Sequence, residues 1–172
     1  MDEVIRGEVW VFGDDISTDL LSPGAYAVDP VEVRKLHVLE ALDPNFASSV
    51  RPGDLLVVGS NFGCGSSRET APENLAALGI ACVVADSFAR IFLRNAVAIG
   101  LPVLVCPGAR DAIATGEVGE VDLAAGTFRN VDRDTVVVGE PLPDEMREIL
   151  AAGGILATLR GGVEPGSGVE SD

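Results

Sequence analysis

Basic side chains are scarce: 12 Lys and Arg stand against 27 Asp and Glu in 172 residues, a formal charge of -15. A chain of that sign is repelled by a phosphate backbone, which excludes general nucleic-acid binding. Cysteine is scarce too. Cys64, Cys82 and Cys106 are an odd number without Cys-x-x-Cys spacing, which argues against a disulfide framework and against a metal centre held by this chain alone. With His37 as the one histidine, a Ser-His-Asp hydrolase would depend on that residue. No apolar run reaches the ~18 residues of a spanning helix, and Met1-Asp2-Glu3 lacks the basic start of a signal peptide. The expected location is the cytoplasm. Disorder is excluded by 47% hydrophobic residues, and the length suits one ordinary domain.

What is present is ordered around the stretch Gly59 to Glu69, Gly-Ser-Asn-Phe-Gly-Cys-Gly-Ser-Ser-Arg-Glu, between an apolar strand at 55–58 and a helical run at 71–78. Gly59, Gly63 and Gly65 permit positive φ and a close approach of backbone to a ligand. Ser66 and Ser67 fall where the helix needs an N-cap, and Glu69 has capping-box spacing from Ser66. Such a helix start favours an anion. A tight turn with capping serines is the plainer reading, and it leaves the other glycines and Arg68 without a purpose. The stretch is not a Walker loop, because no Lys precedes the serine.

Around it, 4–12 reads as a first strand, 16–26 as an irregular connection, and Val31 to Leu42 as a helix with Val33, Leu36, Leu39 and Leu42 on one face. His37 on that helix reads as a surface or packing residue. Strands follow at 80–85 and 102–106, separated by a helix over 87–99 with Phe88, Ile91, Phe92 and Val97 facing inward. This alternation predicts a parallel α/β core with its ligand at the carboxyl ends of the strands. Beyond it, 121–123 and 135–139 read as strands, 143–152 as a helix stopped by Gly153-Gly154, and 161–172 as a disordered tail on a 1–160 domain. Cys82 and Cys106 read as core residues. Cys64 lies near a helix start where a thiolate would be stabilised, yet packing is its plainer role.

Asn61-Phe62-Gly63-Cys64-Gly65-Ser66-Ser67-Arg68-Glu69 resembles the signature of the swivelling domain of the aconitase superfamily, most closely the separate small subunits of 3-isopropylmalate dehydratases. Ser17-Thr18-Asp19-Leu20-Leu21-Ser22-Pro23 and the Ala152-Gly153-Gly154 ending resemble segments of the same family. The resemblance implies a β/β/α three-layer α/β fold with a partly parallel central sheet. It implies a hydro-lyase that isomerises a branched hydroxy acid, with Ser66 as alkoxide base, Arg68 as carboxylate ligand and Ser67 as hydrogen-bond partner. Thr18 and Asp19 would face the shared site, although a turn-capping role suits Asp19 equally well.

The same resemblance makes Pro23, Gly24, Ala25, Tyr26, Ala27 and Val28 the segment that sets substrate choice. Many isopropylmalate-type chains have a basic residue, an aromatic and Leu where this chain has Ala25-Tyr26-Ala27, and His where it has Thr70. Small Ala25 and Ala27 would reshape the pocket. A 4Fe-4S cluster carried by a large subunit is implied as the Lewis acid for the leaving hydroxyl. Isopropylmalate is the first substrate considered, homoaconitate and dimethylmalate-type acids the alternatives, and a non-catalytic anion-binding module the competing class. Self-association of the free small subunit stays open.

Overall fold

The computed structural model describes residues 4–162. Its sheet has seven strands in the order β4-β3-β2-β1-β5-β6-β7. In chain order the elements are β1 (Val4–Val11), α1 (Thr18–Leu21), α2 (Val31–Arg34), α3 (Phe46–Ser49), β2 (Leu55–Val58), α4 (Thr70–Ala77), β3 (Cys82–Ala85), α5 (Arg90–Ala98), β4 (Val103–Val105), β5 (Val118–Asp122), β6 (Thr127–Asn130), β7 (Thr135–Val138), α6 (Asp144–Ala152) and α7 (Ile155–Gly162).

β1 divides the sheet. Its carboxyl-terminal half, Val9 to Val11, pairs in parallel with Leu55 to Val57, whereas Val4 to Glu8 pair antiparallel with Asp122 to Val118. β2, β3 and β4 continue in parallel, and β5, β6 and β7 continue antiparallel. The expected parallel α/β core is therefore present in a mixed sheet. Every residue of β2 and β3 is buried, as strands covered on both faces require, while β5 and β6 alternate between buried and partly buried residues. After β7 the chain returns to the far edge: Glu140 N donates to Val105 O at 2.9 Å, and the Cys106 thiol faces Val137 O. This curls the sheet back on itself. α4 packs on α1, α2 and α5, and α5 on α6, giving the helical layer.

Several sequence expectations needed correction. The helix expected over 31–42 stops at Arg34, passes through a 3-10 turn and breaks at Leu39, whose φ is +59°. Of the expected face Leu39 is buried, while Val33, Leu36 and Leu42 are exposed; Val38 joins Leu39 in the core, and Leu39 N donates to Leu20 O. Tertiary burial overrides the apparent period there. In α5, Ile91 is half exposed and Ala96 takes the inward position alongside Phe92 and Val97. The connection over 16–26 contains α1 and a 3-10 turn at Gly24–Tyr26.

β6 lies between the strands expected at 121–123 and 135–139 and was hidden because Phe128 is the sole apolar residue among its four. Buried Asn130 completes its inward face, with Nδ2 donating to Ala112 O and Glu117 Oε1 and Oδ1 accepting from Arg133 N. Near the end, Gly153 is the left-handed C-cap of α6, as expected. α7 runs across position 160, where the domain was expected to end; the rest of the expected tail lies outside the described residues.

Candidate active site

β2 ends at Val58, and the glycine stretch leaves from its carboxyl end. Gly63 and Gly65 have φ of +84° and +101°. A Cβ at Gly63 would lie 2.4 Å from the Cβ of Phe92, and one at Gly65 would lie 3.3 Å from Thr18 Oγ1. These positions need glycine because the loop is pressed onto α5 and α1. Gly59 has no positive φ; its need is space, since a Cβ there would sit 1.9 Å from Asp14 Oδ1. All three glycines thus stand close to side chains of other elements of the chain.

The capping box does not form. α4 starts at Thr70 with Glu69 as a residue without side-chain capping, so Ser66 and Ser67 lie ahead of the helix with their hydroxyls uncommitted to it. Both serines are exposed, and among the described residues Ser67 has no hydrogen-bond partner.

α1 supplies the other side. Ser17 caps it by accepting from Leu20 N at 3.2 Å, and Thr18 N donates to Cys64 O at 2.8 Å, joining α1 to the loop. Thr18 is 2% exposed. Its hydroxyl donates to Ser66 O at 3.0 Å and lies 3.3 Å from Ser66 Oγ. A single hydroxyl hydrogen therefore faces two oxygens of Ser66. With Ser66 neutral it serves the carbonyl; a charged Oγ would compete for it.

Arg68 is half-buried. Its Nη1 donates to Asp19 Oδ1 at 3.0 Å and to Ser22 O at 2.6 Å. Both polar contacts among the described residues run through Nη1, which leaves the rest of a planar donor fork for a ligand. The ion pair is with Asp19, not with Glu69 or Glu73, the neighbours available in sequence. Asp19 also accepts from Gly24 N at 3.3 Å, so it combines turn closure with orientation of the guanidinium. Of the residues singled out from sequence, the structure brings together Thr18, Asp19, Gly24, Ser66 and Arg68. It leaves Val28 pointing away, 95% exposed.

Four residues were missed. Buried Ser22 places its hydroxyl 2.6 Å from Thr70 Oγ1 while its carbonyl takes Arg68; Thr70 thus has a contact of its own at the helix start. Asn74, fully buried in α4, and Arg34 form a polar pair beneath the same segment. Asn inside a helix is a poor helix former, which was the available signal. His37 stacks on Tyr26, ring centroids 3.5 Å apart and 5° from parallel. Nothing in the sequence spacing indicated that pairing.

Cys64 serves this cluster through its carbonyl, which accepts from Thr18 N, and not through its thiol. Cys82 and Cys106 are fully buried. Burial pushes both thiols up, Cys106 to about 11 with a further push from the Asp86 carboxylate. Among the described residues no three His, Cys, Asp or Glu side chains are grouped as a metal would require, so these residues do not fit a cluster of their own. No described helix is long and apolar enough to cross a membrane.

Residues 24–109 match the aconitase C-terminal domain. The chain is 54% identical over 162 residues to the 3-isopropylmalate dehydratase small subunit 1 of Methanopyrus kandleri, covering 93% of this chain and 95% of the relative. It is 45% identical over 162 residues to the isopropylmalate/citramalate isomerase small subunit of Methanocaldococcus jannaschii, covering 93% and 96%. A crystal structure of 3-isopropylmalate dehydratase from Methanocaldococcus jannaschii superposes with a TM-score of 0.88 at 38% identity, covering 95% of this chain and 98% of that one. The chain therefore belongs to the aconitase family, among the small subunits of 3-isopropylmalate dehydratase.

Proposed function

We propose that the chain works with a large subunit in the cytoplasm to interconvert 2- and 3-isopropylmalate in leucine biosynthesis, acting as one swivelling domain. The carrying observation is the meeting of two distant segments: Thr18 and Asp19 lie against Ser66 and Arg68 through three side-chain contacts.

On this reading Ser66 Oγ takes the proton from the carbon beside a substrate carboxylate. The electron pair forms the carbon–carbon double bond as the hydroxyl leaves the adjacent carbon. Return of the hydroxyl to the carbon that lost the proton, and of the proton from Ser66 to the carbon that lost the hydroxyl, completes the isomerisation. Thr18 supports the charged stage by turning its hydrogen from Ser66 O to Oγ. Arg68 binds a carboxylate through the part of its fork that Asp19 and Ser22 leave open, and Ser67 donates its free hydroxyl to the same ligand. A 4Fe-4S cluster on the large subunit would supply Lewis-acid help to the departing hydroxyl.

A second substrate, citramalate, is favoured by one observation: the chain is 45% identical to an isopropylmalate/citramalate isomerase small subunit. One experiment tests both. The chain is purified anaerobically with its large subunit, the cluster is reconstituted, and turnover of isopropylmalate, citramalate, homocitrate and dimethylmalate is followed for wild type and Ser66→Ala. Loss of about a thousandfold in kcat on one preferred acid, with the complex intact, is expected for removal of the base. Unchanged turnover in Ser66→Ala would remove the serine from the chemistry. Inactivity of the wild type on all four would favour the anion-binding module.

A further inference from the structure

The segment at 22–28 has little regular structure, yet it is anchored at both ends by one buried polar chain. Asn74 Nδ2 donates to Leu21 O at 3.1 Å, and Asn74 Oδ1 accepts from Arg34 Nη1 at 2.7 Å. Arg34 Nε in turn donates to Asp29 O at 2.9 Å, while its Nη2 pairs with Glu73. Leu21, Asn74, Arg34 and Asp29 thus form a clasp across the base of the segment. Its middle is held separately by the stack of Tyr26 on His37, and His37 Nδ1 lies 2.8 Å from Glu40 Oε1.

We propose that Arg34, Asn74 and His37 are positioning residues that fix segment 22–28 against Arg68 and so set the choice among hydroxy acids. This rests on the reading of that segment as the substrate-selecting wall. The wall touches the guanidinium: a Cβ at Gly24 would lie 3.7 Å from Arg68 Nη2. A buried Arg and Asn are a costly way to gain stability, because apolar residues of similar volume pack as well or better. What they add is direction. The two carbonyls they hold, Leu21 O at the end of α1 and Asp29 O ahead of α2, lie outside any strand, so the side-chain clasp ties them together where no sheet ladder does.

The test has two readouts on His37→Ala, His37→Phe and Arg34→Lys. The first is amide exchange at Tyr26, Ala27 and Asp29 in the full chain, whose N–H groups bond Pro23 O, Gly24 O and Tyr26 O. The second is the ratio of kcat/KM for isopropylmalate and citramalate in the reconstituted complex. His37→Ala is expected to speed exchange and move the ratio by about three- to tenfold, and the flat ring of His37→Phe to restore both. Arg34→Lys, a point donor that cannot bridge Asp29 and Asn74, is expected to move the ratio as well. Unaltered exchange in His37→Ala, or equal slowing on both acids at a constant ratio, would overturn the proposal. Exchange needs no substrate, so it decides the positioning role whatever Ser66→Ala shows about the base.

Discussion

β2 and the loop that follows it are neighbours in sequence and are held by different forces. Leu55 to Val58 are at most 1% exposed and bond β1 and β3 through their backbones. Within ten residues the chain reaches exposed Ser66 and half-buried Arg68, whose contacts come from Thr18, Asp19 and Ser22 on the other side of the site. The strand would keep its shape with many apolar sequences; the loop keeps its shape through particular atoms. The sheet thus provides a rigid base, and the polar layer provides chemistry that can change without altering the base.

Gly63 is where the two meet, so Gly63→Ala attacks the comparison most strongly. Its φ of +84° and the 2.4 Å approach to Phe92 mean that a methyl group meets both strain and overlap. A loss of about 3 kcal/mol or more is expected in urea unfolding. Turnover should fall with it, as the loop lifts from α5. Full stability in Gly63→Ala would show that the loop yields freely and that its fixed course is not imposed by the core.

Arg68→Lys tests the polar side alone. Lys cannot span Asp19 and Ser22 while offering a carboxylate two parallel donors, so KM is expected to rise about ten- to hundredfold. Thermal stability should stay near wild type, because the Arg68–Asp19 pair is solvent-accessible and worth little. A large fall in stability with unchanged KM would reverse the assignment and make Arg68 a structural residue.

The same contrast explains what could be read from the sequence. Apolar runs at 55–58, 82–85 and 103–105 announced the parallel strands, because burial on both faces selects one kind of side chain. The serine and arginine stretch stood out by composition and by family resemblance. The capping box at Ser66 and the helix to Leu42 failed for a common reason: each was inferred from local spacing, while the outcome was decided by Thr18 in one case and Leu20 in the other. The contacts of Ser22, Arg34 and Asn74 were illegible because their partners lie far along the chain; His37 reads as a surface or packing residue, and only its partner Tyr26 was hidden.

The smallest expected effect concerns the sheet alone. Cys106 keeps its proton in the folded chain until about pH 11, whereas an unfolded thiol begins to lose it near its ordinary value of 9.0. Cys82 is shifted in the same direction by burial. Between these values the unfolded state has released protons that the native state still holds, so stability falls as pH rises and is fully present below about pH 9. The slope per thiol cannot exceed about 1.4 kcal/mol per pH unit. Urea midpoints under reducing conditions at pH 8 and pH 10 should separate for wild type and draw closer in Cys106→Ala. An equal separation in both would mean that the Cys106 thiol meets water in the native chain and that the curled edge between β4 and β7 opens, unlike the closed strands at the centre of the sheet.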